Sequence, residues 1–119
     1  MVNLAQKKCV ACEGGVASLQ GEELLGFAKE LGSEWKIIND HHLEREFIFK
    51  LEREFIFKDF KQALAFTNQV GAIAEEEGHH PDLSLGWGKV KITLWTHAVD
   101  GLSENDFILA AKINQLRDK

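Results

Sequence analysis

At 119 residues the chain makes one domain, long enough to bury a real core. Its 45% hydrophobic and 28% charged residues are ordinary for a soluble globular protein, and no apolar run approaches the ~20 residues needed to span a bilayer. A formal net charge of -5 without a basic cluster weighs against a nucleic-acid surface.

In chain order, residues 1–18 read as a leader loop. Met1 to Lys8 lack the apolar centre of a secretory signal, so the expected location is cytoplasmic. Cys9 and Cys12 form a lone CxxC. A structural zinc site usually needs a second ligand pair. A redox motif would follow a strand and open a helix, whereas Glu13-Gly14-Gly15 reads as loop. The two cysteines are therefore expected to be dispensable to the main function. A metal knuckle with His41 or His42 is the other reading.

Gly21 to Leu31 predict a first helix, with Leu24, Leu25, Phe27, Ala28 and Leu31 apolar and Gly32 as its stop. Trp35 to Ile38 predict a strand, and Asn39-Asp40 a turn, with His41 and His42 facing solvent. Asp59 opens a second helix, Gln62 completing a capping-box pattern and Gly78 ending it. Its predicted buried stripe is Ala63, Leu64, Phe66, Val70, Ile73 and Ala74. Leu83 to Trp87 and Val90 to Thr96 predict a hairpin around Gly88-Lys89. Ser103 caps a last helix running to about Leu116.

Between the first strand and the second helix, Leu43-Glu-Arg-Glu-Phe-Ile-Phe-Lys50 recurs unchanged as Leu51 to Lys58. An eight-residue tandem copy is too short for a solenoid repeat. Its even length keeps Leu43, Arg45, Phe47, Phe49, Leu51, Arg53, Phe55 and Phe57 on one face of a strand. Sixteen extended residues would span roughly 53 Å, against ~17–20 Å for a typical strand. One copy, expected to be the second, forms the core strand. The other loops out, overhangs or pairs elsewhere.

Chemistry concentrates in His79-His80-Pro81-Asp82, followed by His97 and Asp106. Imidazole moves protons near pH 7, and Pro81 biases His80 toward extended backbone. Glu75, four residues before His79, can share a helix side with it. The plainer reading of Glu75-Glu76-Glu77 is a solvated acidic run, which for Glu76 and Glu77 is the expected one. Ser103 to Asp106 match a capping box, which a site role for Asp106 does not exclude. Trp87 and Trp95 are core, interface or a wall for a flat ligand. A three-histidine zinc site from His79, His80 and His97 is conceivable, although no HExxH spacing is present.

Taken together, Glu75-x3-His79-His80-Pro81, Lys89-Val90, Leu94-x-Thr96-His97, Gly101-Leu102 and Asp106 resemble the pterin-4a-carbinolamine dehydratases. Trp35, the Phe-x-Phe-Lys-Asp-Phe segment ending at Phe60, and Ala65-Phe66 resemble them too. The resemblance runs from about Leu19 to Leu116. The CxxC leader and Trp87-Gly88-Lys89-Val90 look like the bacterial branch that accompanies phenylalanine hydroxylase. Removing one octapeptide copy restores the family's ordinary spacing.

The resemblance implies an α+β fold, a four-stranded antiparallel sheet with helices on one face in the order α-β-β-α-β-β-α. It implies a hydro-lyase that dehydrates 4a-hydroxytetrahydropterin to quinonoid dihydropterin, recycling the cofactor of aromatic amino acid hydroxylases. No cofactor or metal is then needed, the pterin being the substrate. His79, His80 and His97 are the implied catalytic residues, and Glu75, Pro81, Asp106 and Trp87 the substrate-binding ones. Homodimers or homotetramers are implied, with no nucleic-acid or membrane partner. The alternative is a non-catalytic dimerisation, assembly or transcriptional co-factor module of the same fold.

Overall fold

A computed structural model describes residues 4–7, 9, 19, 21–43, 46–99 and 101–117, with side chains left undescribed over 39–48. Three helices, α1 (Gly21–Leu31), α2 (Phe60–Glu77) and α3 (Glu104–Arg117), alternate with strands β1 (Lys36–Leu43), β2 (Glu46–Ile56), β3 (Asp82–Leu85) and β4 (Lys89–Leu94). The strands form one antiparallel sheet in the order β1-β2-β4-β3. This is the expected α+β arrangement.

The β2–β4 register explains the core. Leu51, Arg53 and Phe55 lie opposite Leu94, Ile92 and Val90, so five of these six residues form one apolar ladder. All five are at most 2% exposed. Helices α2 and α3 cover this face. The Phe66 ring of α2 lies 4.8 Å from that of Phe55, and Arg53 and the Trp35 indole both donate to Asn114 of α3. Helix α1 packs on α3 through stacked Phe27 and Phe107. The opposite face is polar, with Glu52 and Glu54 facing Thr93, Lys91 and Lys89.

The two octapeptide copies are joined in one strand. Leu51–Ile56, from the second copy, pairs with β4, whereas Glu46–Lys50, from the first, pairs only with β1 and overhangs the rest of the sheet. Asn39-Asp40 is not a turn. Asn39 lies opposite Phe49 and Asp40 opposite Ile48, because the first copy supplies a partner that outweighs the local turn preference. His41 belongs to β1 opposite Phe47, and the orientations expected for His41 and His42 lie outside the described side chains. Two residues of the expected helix stripes face outward, Leu25 at 65% exposure and Leu64 at 39%. Among the described residues no helix is long and apolar enough to cross a membrane.

Candidate active site

Local caps set the site's two anchors. Asp59 accepts the Gln62 N–H at the start of α2, and Gly78 ends that helix in the left-handed region at φ 66°. The Gly78 N–H then donates to Glu75 O and the His79 N–H to Ala74 O, the paired bonds of a Schellman cap. The His79 backbone is thereby fixed to the helix end. On the other side, Thr96 and Gly101 form a two-residue bridge just past β4, and Ser103 caps α3.

Asp106 joins these parts. It is fully buried, yet each oxygen is engaged. Oδ1 lies 2.6 Å from His79 Nε2, and Oδ2 accepts the Thr96 hydroxyl at 2.8 Å and the Ser103 N–H at 2.9 Å. A carboxylate only accepts, so the His79 proton sits on Nε2 and Nδ1 is left as the ring's accepting atom. The Thr96 hydroxyl spends its one proton on Asp106, so Ser103 Oγ donates to Thr96 Oγ1 across 2.8 Å. Asp106 is thus both the capping-box acid of α3 and the carboxylate behind His79.

The remaining candidates divide. His80 Nε2 pairs with Glu75 Oε2 at 2.9 Å, but both side chains are more than half exposed, so the pair orients His80 and adds little stability. Pro81 is half-buried between His80 and β3. His97 follows buried Thr96, is exposed, and opens a short 3-10 turn, His97–Val99. Its ring centroid lies 3.6 Å from that of Trp95. Trp87 does not join them. The histidines gather near the start of β3, whereas Trp87 lies beyond its far end, in the turn to β4, 71% exposed.

Thr96, Ser103 and Trp95 enter through contacts that spacing alone does not reveal. Glu77 is a further correction to the solvated acidic run. Its carboxylate accepts the Cys9 N–H at 2.8 Å and faces Lys112, with only 7% of the side chain exposed. Cys9 is half-buried, and its thiol lies 3.6 Å from Asn105 O. Burial first, then Glu77, pushes that thiol up to about 12. Cys12 and the side chains of His41 and His42 lie outside the described residues. Among the described residues, no three His, Cys, Asp or Glu are grouped to hold a metal ion.

The chain is thus a two-layer α+β domain with three imidazoles at one end, one of them backed by a buried carboxylate. Residues 17–116 match the family model for pterin 4 alpha carbinolamine dehydratase, and the chain belongs to that family. A protein of Alkaliphilus metalliredigens, provisionally named a pterin-4-alpha-carbinolamine dehydratase, is 55% identical over 115 residues, 97% of this chain and 96% of its own. One of Rubrobacter xylanophilus with the same provisional name is 47% identical over 116 residues, covering 98% and 100%. The crystal structure of a transcriptional coactivator/pterin dehydratase from Brucella melitensis matches with a TM-score of 0.70 at 31% identity, covering 83% of this chain and 97% of that one. A pterin dehydratase-like protein identified as a RuBisCO assembly factor in the alpha-carboxysome matches at 0.57 and 25% identity, covering 72% and 92%.

Proposed function

We propose that the protein dehydrates a 4a-hydroxytetrahydropterin by histidine acid/base catalysis, in support of aromatic amino acid hydroxylation. The observation that carries this reading is the buried Asp106, bonded to His79 and to Thr96, the residue just before the turn that bears His97. The reaction breaks the C4a–O bond, removes the N5 proton, forms the N5=C4a double bond and releases water. It needs one proton acceptor and one donor. His79 accepts through Nδ1 while Asp106 steadies the resulting imidazolium, as in other carboxylate–imidazole pairs. His97 donates to the departing hydroxyl. His80, held by Glu75, binds the polar edge of the pterin, and Pro81 shapes the entry to it.

The proton transfers need neither a metal nor a second cofactor, so EDTA is expected to leave turnover unchanged. Each transfer contributes ~10²–10⁴-fold. Stopped-flow absorbance of freshly made carbinolamine is expected to show dehydration accelerated by the protein, and slowed by that order in His79→Ala and His97→Ala at unchanged circular dichroism. Wild-type rates in both variants sink the assignment. The likeness to an assembly factor favours a second reading, a protein-binding module with an idle site. A stoichiometric partner in a pull-down, with no acceleration of dehydration, selects it. The sheet ends in β1 and β3 on its two edges, which suits the homo-oligomer that the family resemblance implies, and light scattering of the full chain tests it.

A further inference from the structure

We infer that Trp95 is a positioning residue for His97, and that Lys50, the last residue of the first octapeptide copy, belongs to the same device. The inference rests on the dehydratase reading for the role of His97 and on side-chain geometry for the rest.

The three histidines are held in different ways. The rings of His79 and His80 each meet a carboxylate, Asp106 and Glu75. Among the described contacts, what meets the His97 ring is the Trp95 indole, 3.6 Å between centroids and tilted by 42°. An exposed imidazole without a hydrogen-bonded orienter has its rotamer set by what it packs on. Trp95 is itself held. It continues the outward row of Lys89, Lys91 and Thr93, and the β2–β4 register carried one step past Leu51 and Leu94 sets Lys50 opposite it. The Lys50 ammonium stands 4.7 Å from the Trp95 ring centre, a cation–π contact. A line of packing therefore runs from the repeated segment on β2 through Trp95 to His97. Ring displacements near 1 Å at a reacting group cost up to about 10²-fold in rate, so a stack of this kind acts on turnover more than on substrate affinity.

The test is a mutant cycle with a resonance readout on the full-length protein. Trp95→Leu should lower kcat for carbinolamine dehydration about tenfold or more with KM within about twofold. Trp95→Phe should restore most of it, and Lys50→Met should fall between. In a His97→Ala background Trp95→Leu should cost nothing more, and an equal loss in both backgrounds overturns the inference. In NMR spectra, the His97 ring protons should be shifted by the indole in the wild type and return toward unstacked positions in Trp95→Leu. Unshifted wild-type protons overturn the stack whatever the activity. Should Trp95→Leu not fold, Lys50→Met decides, an unchanged kcat together with unchanged His97 resonances counting against the device. A wild-type protein that does not dehydrate carbinolamine removes the proposed function and the positioning role with it, while the resonances still report whether the stack exists.

Discussion

Asp106 shows how much one side chain carries. Its two oxygens take three donors from three parts of the chain, His79 after α2, Thr96 after β4 and Ser103 at the start of α3. In Asp106→Asn an amide NH2 must face one of those donors. That change is expected to cost about 2–4 kcal/mol, measured by urea unfolding, and to lower dehydration on the order of 10²-fold. A variant as stable and active as the wild type removes Asp106 from the site. Asp106 was legible because its capping-box spacing and the motif resemblance coincide. The Thr96–Ser103 bond was not, since nothing in local spacing says that a strand end and a helix cap will meet. Trp87, expected beside the histidines, lies at the other end of β3, because closeness in sequence is undone by a strand that leads away from them.

At the scale of elements, α1 and both caps of α2 were readable from apolar spacing, Asp59 and Gly78, all of them local signals. The β1–β2 hairpin was not, because two identical segments leave the pairing undetermined until the rest of the sheet selects. The selection is energetic. Phe55 of the second copy is 2% exposed and packs against Trp35 and Phe66, whereas Phe49 of the first is 38% exposed. Phe55→Ala is expected to cost about 3–5 kcal/mol and Phe49→Ala below ~1. Similar costs in thermal melts of the two variants contradict the description of β2. Deleting residues 43–50 tests the same point from the other side. Ile37 and Leu51 can keep their pairing, and Asn39-Asp40 then falls in the middle of the shortened connection, where its turn preference is satisfied. The shortened chain is expected to retain the fold with stability within ~1 kcal/mol, since loop length enters only logarithmically. Loss of its cooperative melt would show that the overhang is required.

Across the whole molecule, the described residues of the leader tie α2 to α3 near the site. Leu4 is buried in the core, Lys7 pairs with Glu104, Lys112 donates to Ala5 O, and Cys9 bridges Glu77 of α2 and Asn105 of α3. None of this was visible in the sequence, where the leader reads as loop and its contacts lie far off along the chain. It has a titration consequence. The Cys9 thiol, ordinarily near 9.0, is pushed up to about 12 in the fold, so over that interval the unfolded chain gives up a proton that the folded chain keeps. Unfolding is then favoured as pH rises. Lys7, raised by its bond to Glu104, adds in the same direction. Urea midpoints are expected to fall between pH 8 and pH 11, and to fall less in Cys9→Ser. An identical slope in that variant removes Cys9 as the cause.

The overhanging hairpin has a consequence for how this chain can change. Eight added residues divide into about four for each arm, ~13 Å of extra reach. An even number per arm keeps the period-two alternation of a strand in step. The sheet therefore holds the repeated octapeptide beyond the β2–β4 pairing, much as a zipper takes extra teeth beyond the slider. A register shift between His41 and Leu43 also lies in this overhang, away from the β2–β4 ladder. The end of the β1–β2 pairing beyond β4 is thus a place where length can be added to this fold without rewriting its interior.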